Sequence, residues 1–143
     1  MAWYANSAGR YGASGAKGDM GELIVEIFCK STGRRWEDKN DYHSQVKLKI
    51  DCVIDDVPVD VKANAKGGFL VAEISTVKKG RGWLFETTAD EIYGVDIKNR
   101  EIYRYNVSDM IDYIKDNKDL IRSFDGDRLA YVPKTLDFIE RLL

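Results

Sequence analysis

Three observations predict a single-domain α/β fold. At 143 residues with 44% apolar content, the chain supports one hydrophobic core and is too short for two comfortable ones. Apolar residues at helical spacing over 18–31 give way to two-residue alternation over 46–63 and again over 91–105, and helical spacing returns after residue 108. Repeats, low-complexity tracts and interdomain linkers are absent from the sequence.

Residues 1–17 carry Gly9, Gly12 and Gly15 among small residues, with Trp3, Tyr4, Arg10, Tyr11 and Lys17 and no apolar period. This composition reads as a flexible Gly-rich arm preceding a domain over 18–143. Its aromatics and cations suit contact with nucleic acid or a second subunit, and a plain tail is the alternative. A helix follows over 18–31, with Met20, Leu23, Ile24, Ile27 and Phe28 as the core stripe and Thr32-Gly33 as the stop. Glu22 and Glu26 lie off that stripe, one turn apart. Val25 and Cys29 flank them, so the second face is expected to be partly covered by the sheet.

The segments 46–54 and 57–63 form a hairpin around an Asp55-Asp56 turn. After a loop over 64–68, residues 69–75 read as a buried strand. Lys78, Lys79 and Arg81 then form a basic loop with Trp83 beside it, which suits phosphate contact and stacking as well as it suits a solvated connection. Residues 91–97 and 101–105 make a second hairpin. Ser108 is placed to cap a helix carrying Met110, Ile111 and Ile114. A less regular stretch precedes an amphipathic helix over 133–143.

The first hairpin carries the chemistry. With Asp55 and Asp56 in the turn, counting back sets Cys52 opposite Val59, Asp51 opposite Asp60 and Lys49 opposite Lys62. Facing like charges cost a sizeable share of the roughly 0.2–1 kcal/mol that a cross-strand pair contributes. A divalent cation between the aspartates reverses that sign, and hard carboxylate oxygens suit Mg²⁺, which keeps several waters and accepts phosphate oxygens. A lysine beside them orients or deprotonates a water, or offsets developing negative charge. The competing reading makes these residues solvent-facing charges on the polar side of a half-exposed hairpin.

Other chemistry is poorly supported. The 22 basic and 24 acidic residues leave a net charge of −2, which neither predicts nor excludes a polyanionic partner. Cys29 and Cys52 read as buried thiols of a reducing compartment rather than a disulfide or zinc site. The lone His43 reads as a loop or surface residue and cannot supply a His-based metal site. A secretory signal is absent and no stretch approaches the roughly 18 apolar residues of a membrane span, so a soluble, cytoplasmic protein is expected.

The order of a helix with Glu22, a hairpin with Asp51 and Asp60-Val61-Lys62, then a strand and a helix resembles the PD-(D/E)XK nuclease superfamily over roughly residues 18–115. The resemblance implies a restriction-endonuclease-like core, a mixed central sheet flanked by helices. It implies Mg²⁺-dependent hydrolysis of DNA, with Mn²⁺ also acceptable. Asp51 matches the first signature aspartate, Asp60 the D/E position and Lys62 the lysine. The Val61 carbonyl completes the coordination in this reading, and Glu22 matches the first-helix glutamate of phage and archaeal Holliday-junction-resolving enzymes. Ile50 stands where the nominal motif has proline, and aspartate at 60 where glutamate is commoner. Catalysis is thus expected from Glu22, Asp51, Asp60 and Lys62, and DNA contact from Arg10, Lys17, Lys78, Lys79, Arg81 and Trp83. The expected substrate is branched DNA cut by a homodimer. A site-specific homing or restriction enzyme, and a non-catalytic nucleic-acid-binding module of the same fold, are the alternatives.

Overall fold

The computed structural model describes residues 18–39, 41–78 and 80–143. The expected arm over 1–17, with Arg10 and Lys17, and the candidate Lys79 lie outside the described residues. Helix α1 spans 18–31 and ends where Gly33 takes a positive φ of 77°, as the Thr32-Gly33 stop requires. Among the described residues ten strands follow: β1 (Trp36–Asp38), β2 (Cys52–Ile54), β3 (Val57–Asn64), β4 (Leu70–Thr76), β5 (Gly80–Arg81), β6 (Glu91–Asp96), β7 (Glu101–Asn106), β8 (Ile121–Phe124), β9 (Asp127–Val132) and β10 (Glu140–Arg141). A short helix α2 (Trp83–Glu86) precedes β6, and α3 (Val107–Asp116) follows β7.

The strands form a six-stranded sheet in the order β1-β2-β3-β6-β7-β10 and a four-stranded sheet in the order β5-β4-β9-β8. The first is mixed, because β3 and β6 run parallel while its other pairs are antiparallel. This is the expected α/β domain with a mixed central sheet flanked by helices. Alternation along the central strands feeds two cores. Val59, Val61, Tyr93, Val95 and Ile102 pack with Val25, Phe28 and Cys29 of α1 on one face. Ile92, Tyr103 and Tyr105 pack on the other with Leu70, Ala72, Ala130 and Val132 of the second sheet, Leu84 of α2 and Met110 of α3. Among the described residues no helix is long and apolar enough to cross a membrane.

Several local expectations need correction. The α1 stripe is rotated, since Ile27 is 58% exposed while Val25 and Cys29 are fully buried. Close backbone approach causes this: a Cβ at Gly21 would lie 2.8 Å from the Ala63 Cβ, so Gly21, Val25 and Cys29 form the contact row at i, i+4 and i+8. The first arm of the hairpin is not a strand before Cys52. Residues His43–Leu48 form a π-helical segment and Lys49 is left-handed (φ 58°), because the Leu48 and Lys49 carbonyls bond to Thr88 and Thr87 instead of a neighbouring strand. Lys49 therefore does not face Lys62, and Val46 is exposed.

Helix α3 starts at Val107 after Asn106, so Ser108 lies inside it and is not its cap. The stretch called irregular contains the β8–β9 hairpin, whose Asp125-Gly126 turn has positive φ at both positions (51° and 88°). Residues 133–143 are not helical. Leu136, Phe138 and Ile139 pack in one core and Leu142 in the other, and Glu140–Arg141 pair with β7.

This tail is anchored by a buried ion pair. Asp96 is fully buried and accepts hydrogen bonds from Gly68 N–H (2.9 Å), Asn99 N–H (3.0 Å), Asn99 Nδ2 (2.9 Å) and Lys134 Nζ (3.0 Å). Burial alone would raise this carboxyl, but the four donors outweigh it and hold it well below the usual carboxylate range. Asp96→Ala should cost about 3–5 kcal/mol by leaving the Gly68 N–H and both Asn99 donors without their acceptor, while Lys134 keeps its second partner, Glu101. Chemical denaturation of the variant beside wild type measures this, and a loss within about 1 kcal/mol would remove Asp96 from the anchor.

Candidate functional site

The β2–β3 ladder pairs Ile54 with Val57 and Cys52 with Val59 across the Asp55-Asp56 turn, in the register expected from the sequence. Both turn residues have positive φ (50° and 69°). Their carboxylates bond Arg35, through its N–H to Asp55 (2.9 Å) and its guanidinium to Asp56 (2.8 Å), which takes them out of the site.

The ladder ends in a bulge. Asp51 N–H bonds to Val59 O (3.0 Å), the residue already paired with Cys52, so Asp51 and Cys52 both face Val59. The expected direct Asp51–Asp60 pair is replaced by a diagonal one. Asp51 Oδ2 accepts the Val61 N–H at 2.8 Å, standing in for the strand that stops short. On an extended strand a residue's N–H and C=O point to the same edge. The Val61 carbonyl therefore opens on the side where Asp51 sits.

Asp60 is buried (4% exposed) on the face of β3 opposite Val61. Its Oδ2 has no hydrogen-bond partner, although Lys62 Nζ stands 3.4 Å away at ion-pair distance. Burial, opposed by the Lys62 ammonium and reinforced by the adjacent Asp51 carboxyl, raises Asp60 well above its ordinary range. Glu22 reaches the same place from α1. Burial first, then the Asp51 and Asp19 charges, push its pKa from 4.5 to about 8. Glu26 instead pairs with Lys30 at 2.6 Å on the helix surface.

Asp51, Asp60 and Lys62 line a cleft of about 630 Å³ together with Gln45, Lys49, Glu73, Arg81, Trp83 and Glu86. Of the basic loop, Arg81 and Trp83 line this cleft and Lys78 does not. It lines a second recess with Thr76, Val77, Asp125 and Asp127, which meets the cleft at Glu73. Gln45 and Lys49 reach the cleft through the π-helical segment and its left-handed exit, which alternation in the sequence does not signal. Glu73 lines it from β4 and accepts the Trp83 N–H at 3.2 Å. His43 is exposed, and both cysteines are buried free thiols, as expected.

Among the described residues, no three His, Cys, Asp or Glu side chains are grouped to hold a metal ion by themselves. The donor set still fits Mg²⁺, which binds through one or two carboxylates and completes its shell with water and phosphate oxygens. A buried carboxylate oxygen without a hydrogen-bond donor, beside a second aspartate, is the kind of atom such a cation satisfies.

No family model matches the chain, and no curated protein does. Among solved structures, it is similar to a bacterial homing endonuclease, I-Ssp6803I, at 16% identity and a TM-score of 0.55 over 88% of this chain and 82% of that one. The likeness is one of fold.

The raised Glu22 sets a pH dependence. A carboxyl that is protonated in the folded protein and ionised in the unfolded chain stabilises at low pH, and that contribution is lost as pH rises from 4.5 to about 8. Metal-free wild type should therefore lose melting temperature across this window more steeply than Glu22→Gln, as thermal denaturation at a series of pH values would record. Parallel curves for the two proteins would mean that Glu22 is not destabilised by its neighbours.

Proposed function

We propose that this chain is a metal-dependent endonuclease that hydrolyses phosphodiester bonds in DNA. The observation that carries the reading is the convergence of Asp51 and Asp60 at the end of a broken ladder, with Asp60 Oδ2 lacking a hydrogen-bond donor and in ion-pair contact with Lys62 alone at 3.4 Å among the described residues. Asp51, Asp60 and the Val61 carbonyl are the residues that would hold Mg²⁺ or Mn²⁺, and Glu22 adds a fourth oxygen donor set behind Asp51. Such a cation, when bound, polarises a phosphoryl oxygen and lowers the pKa of a bound water.

The remaining work falls to the chain's own groups. Lys62 projects from the strand face shared with Asp60, where its ammonium orients the attacking water or offsets charge on the phosphoryl oxygens. Arg81 and Lys49 place cations on cleft walls that also carry Glu73 and Glu86, so a phosphate backbone would be favoured there once a divalent cation offsets Asp51 and Asp60. Asp51 keeps its place through the Val61 N–H.

Two substrate classes fit this chemistry. The fold shared with a homing endonuclease favours site-specific cutting of duplex DNA. The first-helix glutamate and the Gly-rich segment over 1–17 favour branched DNA, as in junction resolution. Either reaction cuts two strands, and a homodimer supplies two such sites related by a two-fold axis.

The test is cleavage of labelled randomised duplex, single strand, fork and four-way junction with Mg²⁺ or EDTA. Wild type should cut only with the metal, and Asp60→Asn and Lys62→Ala should each lower the rate about 100-fold or more. Preference for the junction selects resolution, and a cut at a defined duplex sequence selects the homing-type reaction. Cleavage that survives EDTA or the Asp60 substitution would sink the mechanism.

A further inference from the structure

Lys62 raises a physical problem. Its four-carbon stem is rich in rotamers, and its ammonium is a mobile point charge. Its side chain is 35% exposed, and Asp60 is its ion-pair partner at 3.4 Å. That partner is also the carboxylate assigned to the cation. A cation held by Asp60 would compete with Lys62 for that carboxylate, so the ion pair would weaken in the state that has to work.

A second attraction does not compete with the metal. Lys62 Nζ lies 5.1 Å from the centroid of the Trp83 ring, within cation–π range. The indole is itself held. Gly82, just before it, sits so close to β4 that a Cβ there would be 2.2 Å from the Glu73 carbonyl oxygen. Gly82 N–H bonds to Ile74 O at 2.9 Å, and Trp83 N–H bonds to the Glu73 carboxylate at 3.2 Å. Leu84, the next residue, is fully buried in the core. Trp83 thus stands on a backbone pressed against a strand, with its ring toward the lysine.

We propose that Trp83 is a positioning residue: its ring holds the Lys62 ammonium in the cleft when Asp60 is engaged elsewhere, in place of the base-stacking role that the basic loop suggests. The proposal rests on the nuclease reading for its consequence and on the Lys62–Trp83 contact for its substance. Two arms separate these.

The first arm reads the contact without DNA. Trp83 emission is obtained by subtracting the spectrum of Trp83→Phe from that of wild type, with and without Mg²⁺. Lys62→Met, introduced into both backgrounds, should change the intensity or wavelength of this difference spectrum under both conditions. Lys30→Met, on the solvent side of α1, should leave it unchanged. A difference spectrum indifferent to Lys62 overturns the proposal whatever the protein's activity.

The second arm reads the consequence. Trp83→Leu keeps an apolar side chain but removes the ring, and should lower kcat roughly 3- to 30-fold. KM for DNA should stay within about twofold. Trp83→Phe, which retains an aromatic face, should recover most of the rate. A raised KM with kcat preserved would assign Trp83 to DNA stacking and overturn the proposal, as would kinetics unaffected by Trp83→Leu. If wild type cuts no DNA at all, the nuclease reading fails and the emission arm alone decides the contact.

Discussion

The structure turns on one hydrogen bond, the 2.8 Å contact in which the Asp51 carboxylate takes the N–H of Val61. Strand β3 runs from Val57 to Asn64, whereas β2 begins only at Cys52, opposite Val59, so among the described residues that edge of β3 has no neighbouring strand beyond Val59. A carboxylate in place of a strand satisfies the first orphaned donor. It also fixes Asp51 against β3 at the level of Asp60. A full-length β2 would have paired Val61 through its backbone and filled the notch.

Everything else at the site follows from which side of β3 a residue occupies. Val59, Val61 and Ala63 face α1, where Gly21 allows the helix to come close enough to bring Glu22 beside Asp51. Asp60 and Lys62 face the second sheet and α2. Carboxyl groups therefore reach one point from both faces of a single strand, around the edge that β2 leaves open. Gathering them costs free energy, visible in the raised proton affinities of Glu22 and Asp60. The cores on either side supply the stability that offsets it.

The central hairpin was legible in the sequence because its signals were local. Asp55-Asp56 set the turn, alternation set the register, and the spacing of Asp60 and Lys62 put them on one face. The second hairpin and the extent of α1 were legible for the same reason. The first arm misled because 46–50 alternates like a strand, yet its carbonyls find Thr87 and Thr88, residues nearly forty positions away. The 133–143 tail misled because its apolar spacing serves two separate cores, which mimics one helical stripe. Asp125-Gly126 is itself a strong local hairpin signal. Gly21 and Gly82 carried no legible meaning, since the atoms they make room for, on Ala63 and Glu73, belong to distant strands.

The parallel pairing of β3 with β6 has a bearing on how the molecule comes to be folded. The hairpins β2–β3, β6–β7 and β8–β9 close over short turns, whereas β3 must find β6 across the whole β4–α2 excursion, and β4 must find β9 across a longer one. Such high-contact-order seams are entropically expensive and form slowly. Asp51 and Asp60 belong to an early, local unit, but the cleft walls from Glu73 to Glu86 arrive with the late seams. A nascent or partly opened chain therefore carries its carboxylates without their enclosure, and competence at the site becomes a report on completion of the fold.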